Sequence, residues 1–129
     1  LKIKGDYSMK NMAYAILDGN LTSDPESKKI NSSTTVTTFS IAINHYTKGE
    51  ENEGDVSFID VETWDKLAEN CAEFLKKGKM VTVIGTLKQV RWKSMDGGNR
   101  QKFKIVASSV RFDSFADKKQ DKEVLKKAA

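Results

Sequence analysis

At Trp64 the spacing of apolar residues changes from every second position to every third and fourth, and this switch restricts the available folds more than any other feature. Before it, residues 56 to 64 read V-S-F-I-D-V-E-T-W, the alternation of a β-strand. Ser57, Ile59, Val61 and Thr63 point one way, and Val56, Phe58, Asp60, Glu62 and Trp64 the other. After it, Leu67, Cys71, Phe74 and Leu75, with Ala68 and Ala72 beside them, recur at helical spacing. Lys76-Lys77-Gly78 closes that segment as a helix end should, with cations at the negative end of the dipole and a glycine for the left-handed cap. The pattern predicts one helix in a chain of strands.

Four other stretches carry strand signals. Residues 13 to 21 form the first, with Gly19 at a bulge or bend and a turn following around Asp24-Pro25. Residues 35 to 46 form the second, with Phe39, Ile41 and Ile43 on one side and Thr38, Ser40, Ala42, Asn44 and Tyr46 on the other. A polar connection, T-K-G-E-E-N-E-G-D, leads to residues 56 to 64. After the helix, residues 80 to 92 and 100 to 112 flank S-M-D-G-G-N, a hairpin tip in which Gly97 and Gly98 supply positive φ. In the last strand Phe103, Ile105 and Ala107 form the core side, opposite Lys102, Lys104 and Val106. The predicted class is all-β: a five-stranded OB-fold Greek-key barrel with one α-helix between strands 3 and 4. Gly85, in mid-strand, fits a barrel bend.

The chain has 129 residues, 38% hydrophobic and 31% charged, the make-up of one domain. We place that domain at residues 9–115, after a loose extension (1–8) and before a charged tail (116–129) too poor in apolar residues to fold alone. No apolar run approaches the roughly 20 residues of a membrane span, and the first residues lack the apolar block of a secretory signal. A cytoplasmic protein is expected. The single cysteine, Cys71, excludes an internal disulfide and falls on the apolar helix stripe, as a small buried hydrophobe does. The only histidine, His45, has no nucleophile or metal partner recognisable in sequence, no metal-ligand spacing occurs, and no helix follows the glycine pair to cradle phosphate. Neither an enzyme nor a cofactor is expected.

Net charge is only +4, but its distribution is uneven. Acid collects between Glu50 and Glu69, whereas Lys88, Arg91, Lys93, Arg100, Lys102, Lys104 and Arg111 face only Asp96 between positions 88 and 111. Charge runs are commonly just solvated surface. Here aromatics interleave with them: Tyr46 closes strand 2, Phe58 and Trp64 share the outer parity of strand 3, and Trp92 stands between Arg91 and Lys93. Strand aromatics usually pack inside, and Trp64 could cover the first helical turn. On a five-stranded frame, outward rings among cations are instead stacking platforms for unpaired bases, with Lys88, Arg91, Lys93, Arg100 and Lys102 neutralising phosphates. Asp60 and Glu62 on that face would repel phosphate, so Lys or Arg from neighbouring strands is expected to pair with them.

Four motifs carry a resemblance. D-G-N-L-T-S-D-P-E (18–26), F-S-I-A-I-N (39–44), W-D-K-L-A-E-N-C-A-E-F-L-K-K-G (64–78) and G-T-L-K-Q-V-R-W (85–92) resemble the bacterial single-stranded DNA-binding proteins, from about Met9 to Phe112. The resemblance implies a homotetramer of OB-folds wrapped by single-stranded DNA in replication, recombination and repair. It implies stacking roles for Phe58, Trp64 and Trp92, with Tyr46 beside another such position, and matches Lys66, Lys77 and Arg91 to cations near the DNA path. Members of that family generally end in a Gly/Gln/Pro-rich linker and an acidic tip that recruits replication and repair proteins. This sequence reads K-K-Q-D-K-E-V-L-K-K-A-A there, so such recruitment is not expected of it, and a start at Met9 would suit the resemblance. Two alternatives share the frame: an RNA-binding or initiation-type OB module, and a purely structural OB oligomer.

Overall fold

A computed structural model describes residues 10–45 and 54–112. The expectations for residues 1–8, for Tyr46, for most of the 47–55 connection and for the tail lie outside the described residues. Within them the chain runs β1 (Tyr14–Leu21), β2 (Glu26–Asn31), β3 (Thr34–Asn44), β4 (Val56–Trp64), α1 (Asp65–Phe74), β5 (Met80–Lys93) and β6 (Asn99–Arg111). Each of the five expected strands is present, and the helix separates the third of them from the fourth.

These five strands pair around a closed circuit, β1-β5-β6-β4-β3, in which β1 returns to β3 through Asn20↔Ala42 and Leu21↔Ile41. Most pairings are antiparallel; β4 and β6 pair in parallel over Asp60↔Lys104, Val61↔Ile105 and Glu62↔Val106. The class is the all-β OB-fold. One element was not foreseen. β2 forms a hairpin with the first half of β3, from Glu26↔Thr38 to Asn31↔Thr34, a segment in which the sequence signals only the turn around Asp24-Pro25. E-S-K-K-I-N lacks apolar alternation because all six residues are exposed; the strand is held by its partner's backbone, not by burial.

Two glycines permit the closure. A Cβ on Gly85 would stand 2.2 Å from the Val106 carbonyl oxygen and 2.7 Å from Ala107 Cα, beside a register shift between Ile84 and Gly85. One on Gly19 would stand 2.8 Å from the Ala42 oxygen, where β1 crosses to β3. Only glycine lets these backbones meet so closely.

Inward residues of the circuit, among them Phe39, Ile41, Val61, Val83 and Ile105, form the core, and α1 closes it with Ala68 and Cys71, followed by Leu75 just past its end. Thr63 is fully buried, donating to the Thr37 carbonyl at 2.8 Å, while Thr37 donates to the Ala68 carbonyl at 2.8 Å. Two hydroxyls thus tie β3, β4 and α1 without an orphaned polar atom. Burial pushes the Cys71 thiol up to about 11.

Three local expectations are corrected. The helix stops at Phe74, before the lysines, and Leu75 N–H caps back to the Cys71 carbonyl. Gly78, φ +89°, belongs to the following turn, where its N–H donates to the Leu21 carbonyl. Phe74 is half exposed and meets Phe112 with ring centroids 6.2 Å apart. Phe103, assigned to the core by parity, is 49% exposed, because β5 and β6 continue as a hairpin arm past the rest of the circuit.

Candidate nucleic-acid interface

The outward parity of β4 survives folding. Phe58 is 67% and Trp64 39% exposed, while Val61 and Thr63 between them are sealed. Antiparallel register on one side sets Ala42 beside Phe58, Ser40 beside Asp60, Thr38 beside Glu62 and Val36 beside Trp64. The outward residues of β3 are therefore small or short, and the two rings stand clear of them.

The two carboxylates between the rings are paired, as expected. Lys102 Nζ lies 2.6 Å from Asp60 Oδ2 and Lys104 Nζ 2.7 Å from Glu62 Oε1. Asp60 also accepts from Ser40 Oγ at 2.5 Å, and Glu62 Oε2 accepts from Trp64 Nε1 at 2.9 Å. Hydrogen bonds from Lys102 and then Ser40 hold the Asp60 carboxyl below the usual range. Burial opposes ionisation of Glu62, but the Lys104 ammonium, the Trp64 N–H and the charge of Lys88 outweigh it and its pKa also falls. Both acids are ionised at neutral pH, and their charge is balanced in place.

Beyond the circuit, the β5–β6 arm carries most of the other basic residues of this face. Its register sets Lys88 opposite Lys104, Val90 opposite Lys102 and Trp92 opposite Arg100. Alternation sends Lys88, Trp92, Arg100, Lys102 and Lys104 to the side on which Phe58 and Trp64 stand. Arg91 and Lys93 take the other parity; Arg91 Nε donates to Gln89 Oε1 at 3.0 Å, and Gln89 in turn donates to Gln101. Because the arm's end is solvated on both faces, Arg91, Trp92, Lys93, Asn99, Arg100 and Gln101 border one open cleft of about 650 Å³. Trp92 is 45% exposed, with Lys102 Nζ 6.0 Å from its ring centroid. At the tip, Asp96 accepts from Ser94 Oγ and the Gly98 N–H; Gly97 takes φ +87°, whereas Gly98, expected to share it, does not have a positive φ. Arg100 reaches back to Asp96 at 3.6 Å.

The structure therefore brings together Phe58, Trp64, Trp92, Lys88, Arg100 and Lys102, with Arg91 and Lys93 at the arm's rim. Lys66 is exposed in the first turn of α1, next to Trp64. Lys77 lies at the opposite end of the helix, where its N–H donates to Asp24 Oδ1 at 2.9 Å, so it is set apart from the other cations. Tyr46 lies outside the described residues. His45 does find a partner that sequence could not reveal: its ring Nε2 is 2.8 Å from Ser57 Oγ, pinning the end of β3 to the start of β4. Three residues were missed. Lys104 holds Glu62 and was legible in the run K-F-K, Phe103 is open on the arm's other face, and Lys28 joins the Trp64 row through Lys28↔Val36 and Val36↔Trp64. Lys28 gave no signal, since its strand was not expected.

Among the described residues no group of His, Cys, Asp and Glu could hold a metal ion, and no helix is long and apolar enough to cross a membrane.

A single-stranded DNA-binding protein of Caldanaerobacter subterraneus is 39% identical over 97 residues, covering 75% of this chain and 65% of the relative. A single-stranded DNA-binding protein 2 of Chlorobaculum tepidum is 37% identical, covering 81% and 72%. This chain thus spans about two thirds of the length of these relatives. A solved Plasmodium falciparum SSB complex with ssDNA contains a chain with TM-score 0.71 and 21% identity, covering 81% of this chain and 97% of that one, which supports the fold. The single-strand binding protein family matches residues 12–113, nearly every described position, and the chain belongs to that family.

Proposed function

We propose that this protein binds single-stranded DNA without sequence preference, shielding it during replication, recombination and repair in the cytoplasm. The observation that carries this reading is the shared sheet face on which exposed Phe58, Trp64 and Trp92 alternate with cations while the intervening carboxylates are already neutralised. Each base stacked on such a ring contributes about 1–3 kcal/mol whatever its identity, which gives affinity without sequence readout. Lys88, Arg91, Lys93 and Arg100 on the arm neutralise phosphates and release their counterions, with Lys102, Lys66 and Lys77 as further contacts and Tyr46 as a fourth platform. A duplex hides its base faces, so this surface selects unpaired strands. The binding unit is the single domain 9–115.

A homotetramer is part of the proposal. On the other side of the circuit, Met12, Tyr14, Ile16 and Met80 are exposed apolar side chains on or beside β1 and the start of β5. Among the described residues, the second edge of β1 from Tyr14 to Gly19 pairs with no strand. An open edge beside an apolar face is the arrangement that a second copy covers across a twofold axis.

Titration of tryptophan emission with oligo(dT), repeated across salt, tests the binding reading. Quenching that weakens linearly with log salt is expected, and competition by oligo(rU) should be weaker. Preference for oligo(rU) would make this an RNA-binding module; no quenching by either strand would leave only a structural oligomer.

A further inference from the structure

Asp60 and Glu62 stand in the middle of a surface proposed to receive a polyanion, an unfavourable place for two carboxylates unless they serve it. Each joins a lysine to an aromatic ring. Glu62 takes Lys104 on Oε1 and the Trp64 indole N–H on Oε2, using both oxygens. Asp60 takes Ser40 on Oδ1 and Lys102 on Oδ2, and the same Lys102 ammonium lies 6.0 Å from the Trp92 ring centroid. The bridges also cross the parallel β4–β6 seam, which is only three residue pairs long.

We propose that Glu62 is a positioning residue for the Trp64 platform and that Asp60 and Glu62 together keep the centre of the interface electrically neutral, so that bases and not phosphates lie over β4. An exposed indole on a strand end otherwise samples several rotamers, and ordering it on binding costs affinity. The Glu62 bond fixes the ring beforehand. With Lys104 held by Glu62 and Lys102 shared with Asp60, the phosphate path runs chiefly along the other cations of the arm, and these dominate the salt dependence of binding.

The inference rests on the strand-binding reading, and its test has a readout in the unliganded protein. In a Trp92→Phe background of the full chain, Trp64 is the sole tryptophan. There, Glu62→Leu is expected to shift and broaden the Trp64 emission of the free protein and, at high salt where the freed Lys104 contributes least, to weaken oligo(dT) binding roughly threefold to tenfold, the scale of one ordinary hydrogen bond. Glu62→Gln keeps an acceptor for the indole and should restore the emission band. By freeing one lysine it should steepen the slope of log K against log salt by about 0.7, as should Asp60→Asn. Should Glu62→Leu not fold, the Glu62→Gln and Asp60→Asn slopes decide the matter. Unchanged slopes in both, or unchanged Trp64 emission and affinity in a folded Glu62→Leu, overturn the proposal. Failure of the unsubstituted protein to bind oligo(dT) would instead defeat the underlying reading.

Discussion

Trp92 and Arg91 are neighbours in sequence, yet the arm sends them to opposite faces, and the two ask for different measurements. Trp92 offers a ring, so Trp92→Ala is expected to lower oligo(dT) affinity by about 1–3 kcal/mol at every salt concentration. Arg91→Ala should instead lower the salt slope by about 0.7, with its affinity loss fading as salt rises. Phe58, the most exposed of the three described rings, should behave like Trp92. Cys71 provides a control at the same scale. Sealed on the inner face of α1 with its thiol pushed up to about 11, it should resist aromatic disulfide reagents in the native protein and react only on unfolding. Much of this was legible beforehand: the parity of V-S-F-I-D-V-E-T-W correctly placed Phe58 outside and Val61 inside. Parity failed at Phe103, because alternation states which face a residue takes and not whether anything covers that face. The partner of His45 was hidden for another reason, and for Glu62 only the kind of partner was legible, because register between distant strands decides which residue it is.

Elements that depend on burial announce themselves, and those that depend on pairing do not. The five circuit strands and α1 each carry an apolar period, whereas β2, wholly exposed, carries none. The helix end shows a related ambiguity: Lys76-Lys77-Gly78 satisfies the signals for a C-terminus, yet it forms the turn that grips Leu21 and Asp24. At the β4–β6 seam the ion pairs give a pH dependence. The carboxyls of Asp60 and Glu62 sit below their ordinary values of 3.8 and 4.5 when folded, so their contribution is complete above those values and is lost as pH falls through the folded ones. The thermal midpoint should therefore drop below about pH 4, and the drop should be shallower in an Asp60→Asn, Glu62→Gln double variant. Where β5 meets β6 at the bulge, Gly85→Ala would drive a methyl into the Val106 carbonyl and should destabilise the fold by about 1–3 kcal/mol in chemical denaturation.

At the scale of the whole molecule, two surfaces lie on different sides of one strand circuit: rings and cations on β4 and the arm, and apolar side chains with an open edge on β1. The proposed tetramer should have four times the 14.4 kDa chain mass by light scattering, and Ile16→Asp should reduce that mass while leaving the isolated chain folded. The sequence disclosed the first surface because aromatics among cations are conspicuous. It concealed the second, since Tyr14, Ile16 and Met80 look like core residues of any strand. Both surfaces draw on β5, whose early residues run alongside β1 and whose late ones form the projecting arm, with Gly85 as the elbow between. A guest polymer gripping the forearm would load the same ribbon that neighbouring copies grasp above the elbow. Occupancy and assembly would then share a mechanical joint, each stiffening the other.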